Sequence, residues 1–315
     1  MHCKDVTTLT CETLTCGAFL THSGFSCHRV EFANYGERSG CLLIATLLTA
    51  VKSSAATGRE VMSSLRRGDV TAMTSVGDDV FVVRWGGKHV EVYDAETLSL
   101  QRKITGLRLG YSYGLAACAH NRCLYVSDYP HDSVHAVDFL GGNAVTWCAA
   151  GRPAGLSVNK AHNLVVACCT ANMLQEYTTY GTLVREIRLE SPWQAIQLSG
   201  GDYVVSQNTS PPVVSVVGVD GQVVRSYCQS QASDDGRVNA PTNLVVTKND
   251  GILVVDQDNS RIMSVNSSLN SVRQLQVLSA DDELQEPHGL CLNESRRRLY
   301  VSEGSGRVMA FDGIF

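Results

Sequence analysis

An apolar strand, a short polar turn and a second strand recur six times along this chain, and that recurrence limits the fold more than any other feature. The clearest copy runs from Ile252 through Asp256 and the turn Asp258-Asn259-Ser260 into a second strand from Ile262. One apolar residue marks the innermost strand of each copy: Met73, Leu115, Leu156, Ile196, Leu244 and Leu290. They lie 42, 41, 40, 48 and 46 residues apart. A period of about 40 to 50 residues means blades or solenoid units, each unable to bury its apolar face alone. Pro153, Pro192, Pro241 and Pro287 stand three or four residues ahead of four of these anchors. Proline suits the entry to a strand, where it gives up only an amide outside the ladder.

After each anchor comes a short β-branched or aromatic run bounded by turn residues: 80–84, 124–128, 164–168, 203–207, 252–256 and 299–303. Such runs read as central strands. A third strand follows in every copy, and a weaker fourth in all but the last, which stops at Phe315. Four strands in each of six units predict an all-β chain, a six-bladed β-propeller. The last unit needs one more strand to cover its edge. Residues 60–66, just before the first unit, are the expected donor; the competing reading ends a helix there.

Composition narrows the function classes. A net charge of −5 argues against a broad basic surface for nucleic acid. The longest apolar run, 41–51, is too short for a membrane helix of about 20 residues. Twelve cysteines, several inside expected strands, and no apolar leader behind the N-terminus suggest reduced thiols and a cytoplasmic setting. Before residue 30, Cys and His cluster at short spacing, the pattern of a zinc-held segment too small for a core. Leu43, Leu47, Ala50 and Val51 follow at helical spacing.

The repeats resemble NHL repeats, best seen in Asp256 to Ile262, 287–303 and 153–166. Residues 9–22 and 27–30 resemble the B-box zinc module of TRIM proteins, and a B-box, helix and NHL propeller is the TRIM-NHL order. The resemblance places His2, Cys11, Cys16, His22 and His28 on zinc-ligand positions. The opening cysteine is absent and Phe19 stands where another is expected, so these five suit one zinc ion at most. The competing reading is a shortened module with free thiols. The expected organisation is a B-box-like segment at 1–34, a helical remnant of a coiled coil at 35–58 and the propeller at 59–315. No RING-like cysteine array precedes the B-box-like segment, so any link to ubiquitination is by resemblance alone.

A propeller binds through the loops at one end of its blades. The candidate face collects Trp85, Lys88, His89, Arg108, Tyr111, Tyr113, Tyr129, His131, Arg152, Trp193, Asn208, Asn259 and His288. Aromatic and Arg side chains dominate interface hot spots, and rigidly mounted loops are where function sits. For each, the plain alternative is a side chain that caps a strand end. The leading expectation is a non-catalytic recognition or scaffold module that binds a protein partner through this face, in a monomer. The second is single-stranded RNA, stacked on Tyr111, Tyr113 or Tyr129 and held by Lys88, Arg108, Arg152 and His131. An enzyme of the metal-dependent six-bladed kind needs acids at the inner strand starts, where this chain offers Asn243 and His288. The run Arg296 to Arg298 falls in a hairpin at the opposite end and reads as a solvated turn.

Overall fold

A computed structural model of the chain describes residues 59–60, 69–227, 237–275 and 284–313. The B-box-like segment with His2, Cys11, Cys16, His22 and His28, and the helix expected after it, lie outside the described residues.

The described residues form six four-stranded antiparallel sheets. Blade one holds Val70–Val76, Asp79–Arg84, Val90–Asp94 and Leu100–Ile104. Blade two holds Leu115–Cys118, Cys123–Asp128, Ser133–Asp138 and Val145–Cys148. Blade three holds Pro153–Val158, Leu164–Cys168, Met173–Tyr177 and Leu183–Arg188. Blade four holds Pro192–Gln197, Tyr203–Gln207, Val213–Val217 and Val223–Tyr227. Blade five holds Pro241–Val246, Ile252–Asp256, Arg261–Val265 and Val272–Gln274. Blade six takes Pro287–Asn293, Arg298–Glu303 and Val308–Asp312 from the C-terminal end, and its outer strand from Arg59–Glu60. This is the six-bladed propeller that the period predicts.

Burial explains why the strands differ in sequence. The second strand of each blade is covered on both faces, so it reads as a continuous apolar run; all of Leu164–Cys168 and Ile252–Asp256 is buried. The outer strands face solvent, and four of the five residues of Val223–Tyr227 are exposed. The core is therefore divided among the joints between blades. Phe81 and Val92 meet Leu124 and Val126 between blades one and two, and Val80 and Val82 meet Tyr300 and Val308 between blades one and six. Each such buried side chain contributes about 1.5–3 kcal/mol.

Three expectations are corrected in detail. In five blades the inner strand starts before its anchor, and Pro153, Pro192, Pro241 and Pro287 are themselves first residues. Between proline and anchor the register shifts, as between Pro153 and Leu156. A bulge there lets the chain turn in from the loop without losing the ladder. The closing strand is Arg59–Glu60, with Arg59 opposite Ala310 and Glu60 opposite Met309. Only Glu60 of the expected stretch lies in it, and 61–66 fall outside the described residues. The run at 296–298 is more than a solvated turn. Arg296 pairs with Asp78 at 2.6 Å and with Glu96, both in blade one, and Arg298 holds Asp312 at 2.5 Å.

Candidate functional site

One rule fixes the loops at the candidate face. The residue that ends a blade's second strand often holds the loop entering that blade. Asp128 Oδ1 accepts from Gly110 N at 3.2 Å, Asp256 Oδ1 from Asn239 N at 2.6 Å, and Glu303 Oε1 from Gln285 N at 3.0 Å. Gln207 does the same from the donor side, giving its Nε2 to Glu190 O at 2.8 Å. In blade three, where this place is Cys168, Gln175 Oε1 accepts from Ala150 N at 2.9 Å. Buried acceptors of this kind are satisfied by backbone amides, which pins the loops to the sheets.

Upon that frame five rings meet. Trp85, from the loop after the second strand of blade one, stacks on Tyr111 with centroids 4.7 Å apart and 24° between planes. Tyr111 and Tyr113, from the link into blade two, both reach Tyr129, at 5.7 and 5.1 Å. Trp193, near the start of blade four, lies 5.3 Å from Tyr113. Offset and edge-to-face contacts at these distances are the favoured aromatic geometries. Trp85 remains 49% exposed, so the cluster is a surface and not a core. Arg152 sets its guanidinium 5.6 Å from the centre of the Tyr129 ring. Cys169 Sγ lies 3.6 Å from Tyr129 Oη and 3.4 Å from Arg152 O, within reach of either for its one S–H. Burial raises the pKa of Tyr113, and Tyr111 and Cys169 push the same way. Burial likewise raises that of Tyr129, although Arg152 opposes. Both phenols are therefore neutral at physiological pH.

Beside the rings the axis of the propeller opens. A recess of about 300 Å³ is lined by Tyr113, Trp193, Asn208, Asn243, Gln257 and His288 among others. Tyr113 and Asn243 also line the central tunnel below it, of about 490 Å³. His288 Nε2 lies 3.1 Å from Gln257 Nε2. Asn243 Oδ1 accepts from Leu290 N at 2.8 Å, and Gln194 Oε1 from Leu244 N at 2.9 Å. These amides cross from one inner strand to the next and tie neighbouring blades together. Among the described residues no three His, Cys, Asp or Glu side chains are grouped to hold a metal ion.

The expected face thus divides. Trp85, Tyr111, Tyr113, Tyr129, Trp193 and Arg152 form one cluster, and Asn208 and His288 join it through the recess. Others serve the scaffold. Asn259 Nδ2 donates to Asp256 Oδ2 and to Arg237 O, which caps its turn. His131 Nδ1 lies 2.8 Å from the buried Asp128 carboxylate, and His89 lies 3.0 Å from Lys103 Nζ and 3.5 Å from Glu91. Lys88 and Arg108 are exposed loop residues. Gln257 and Cys169 were not anticipated at this site, because a lone amide or thiol beyond a strand end carries no pattern that marks it.

No protein-family model matches the chain, and no curated protein sequence does. Solved structures do resemble it. Virginiamycin B lyase from Staphylococcus aureus superposes with a TM-score of 0.61 at 10% identity, covering 82% of this chain and 98% of that one. A streptogramin B lyase gives 0.59 at 13% identity, covering 81% and 97%. The WD40 β-propeller domain of Doa1 gives 0.56 at 12% identity, again over 81% and 97%. At these identities the likeness shows the propeller fold alone.

Proposed function

We propose that this propeller is a non-catalytic recognition module that binds a protein partner through its loop face. The single observation that carries the reading is the cluster of five rings with Arg152, partly exposed and continuous with the mouth of the axis. Amphipathic rings on rigid mounts supply contact area at small entropic cost, which is why Trp, Tyr and Arg dominate binding energy. The finer reading, a substrate-recruiting propeller of the TRIM-NHL kind, rests on the resemblance of the repeats and belongs to the same proposal. The lyase neighbours carry the same architecture with another activity, and function on a shared fold has to be argued from the site.

The test compares partner capture by the full chain with Trp85→Ala, Tyr129→Ala and Trp193→Ala. Loss of a hot-spot ring costs about 2 kcal/mol or more, a weakening of roughly thirtyfold in Kd. The same partner should fall away in all three variants. Undiminished capture by every variant would remove this face from the reading.

A further inference from the structure

We infer that the recess at the mouth of the axis receives a prolyl residue from an uncharged segment of the partner. Its ring is laid on Tyr113 and Trp193, and the carbonyls beside it accept from Gln194 and Asn243. The inference rests on the reading of the loop face as protein-binding and adds what that face selects. Thr71, Tyr113, Gly155, Trp193, Thr242 and His288 reach the recess from blades one to six in turn, Tyr113 from the link into blade two. A hollow of about 300 Å³ walled on every side has room for a residue at the crest of a loop. It is too small for a helix, whose diameter with side chains is about 10–12 Å.

The bonds that tie the blades together bias this recess toward donors. Gln194 Oε1 accepts from Leu244 N, and Asn243 Oδ1 accepts from Leu290 N. A backbone N–H can only donate, so each side-chain oxygen must face it and each NH2 group is left over. Among the described residues neither NH2 group has a protein partner, and neither has the Tyr113 hydroxyl or the Trp193 indole N–H. The hydroxyls of Thr71 and Thr242 are turned to the carbonyls of Val83 and His288, and Gln257 and His288 engage each other. No Asp, Glu, Lys or Arg side chain lines the recess, so a charged side chain that entered would lose water and gain no counter-charge.

An uncharged, donor-rich recess selects against peptide N–H groups, which would be desolvated there with few acceptors to meet them. Proline brings no N–H, and its φ is already fixed, so little freedom is lost when it is held. Prolyl ridges laid on aromatic walls are a recurring mode of peptide recognition. The same rings do not suit a nucleobase. Tyr113 stands edge-on to both Tyr111 and Tyr129, at 77° and 84°, and meets Trp193 with their planes 56° apart. No parallel pair of rings lies open at the recess for a flat base to enter, whereas a puckered pyrrolidine needs only a tilted apolar wall.

The experiment is selection of a random-sequence peptide library on the immobilised full chain. Selected peptides and an oligouridylate are then measured in solution by fluorescence anisotropy. Selected peptides should share a proline without charged neighbours. Alanine in its place should raise Kd about tenfold or more, and N-methylalanine, which also lacks an N–H, should recover much of that loss. These comparisons use the unaltered chain, so they decide the matter whatever a variant does to the fold. On the protein side, Gln194→Glu and Asn243→Asp keep the oxygen that accepts from the next strand and remove the free donor. Each should raise Kd about tenfold. Failure to select any peptide, no shared proline, undiminished binding with alanine in its place, N-methylalanine no better than alanine, or an unchanged Kd in both variants would overturn the inference. Tighter binding of oligouridylate than of any peptide would do the same. Proline-free peptides lost on Trp85→Ala, a ring outside the recess, would leave the loop-face reading standing while removing the prolyl one. Peptides bound equally well by Trp85→Ala and Trp193→Ala would count against the loop face itself.

Discussion

Gly114 shows how little room the inner strands leave. A Cβ there would lie 2.2 Å from the Ala154 carbonyl oxygen and 2.7 Å from Leu156 Cγ. At Gly155 it would lie 2.6 Å from Trp193 O, one joint further round. These glycines are needed for close approach of successive blades, just beneath the rings. Gly114→Ala should therefore cost about 1–3 kcal/mol, the range for overpacking a filled core. In a domain of this size that lowers Tm by several degrees, at about 2–4 °C per kcal/mol. Gly200→Ala, with nothing within 4 Å, is the control and should stay within about 0.5 kcal/mol. An unchanged Tm in Gly114→Ala would mean that the joint is loose. The anchors Leu115 and Leu156 were legible in the sequence because they recur. The need for glycine beside them was not, because the atom each would strike belongs to a strand about 40 residues further on.

Within single blades, strand identity was legible and inward polarity was not. The third strand of blade three, Met173–Tyr177, was expected close to its place, yet it buries Gln175 and Glu176 side by side. Period-2 patterning assigns faces to apolar residues and says nothing of an acid that finds partners inside. Glu176 is 5% exposed and accepts from Asn159 and Asn163, each at 2.7 Å, and from Arg185 at 2.5 Å. Burial alone would push its carboxyl up, but the bonds from Asn163, Arg185 and Asn159 outweigh it and hold the pKa below 4.5. The folded state thus prefers the charged form, so the stabilisation is present above the unfolded pKa and is lost as pH falls through the folded one. Glu176→Gln should reduce stability at pH 7 by about 1.5–3 kcal/mol, the worth of hydrogen bonds to a charged group. It should also flatten the decline in Tm below pH 4.5. Thermal unfolding curves of the two proteins between pH 7 and pH 3 check both; parallel declines would acquit this carboxylate.

For the molecule as a whole, the period of the repeat gave the number of blades, and the loop rule placed the ring cluster at one end. The seam between blade six and blade one stayed hidden, because its contacts join residues 200 or more positions apart. Arg296 reaches Asp78 and Glu96, Arg298 Nη1 donates to Ala95 O at 2.6 Å, and Tyr300 Oη donates to Ala95 O at 3.2 Å. Beneath them Val70, Val80, Val82, Tyr300 and Val308 pack together. The Arg296 pairs are with exposed carboxylates, worth about 0–1 kcal/mol and less in salt. Arg296→Ala should therefore shift the urea midpoint only slightly, whereas Tyr300→Ala should cost about 3–5 kcal/mol through the void it leaves. Equal losses in high salt would make the surface pairs, not the apolar packing, the agent of closure.

Blade six differs from the other five blades in one respect: its outer two strands, Val308–Asp312 and Arg59–Glu60, are neighbours in the sheet but lie some 250 residues apart in the chain. The two ends of the described chain are held there by a two-residue strand hydrogen-bonded to Val308–Asp312. Tension applied between Arg59 and Asp312 is carried first by that short ladder, so mechanically the circle has a clasp, and it undoes before any blade unravels.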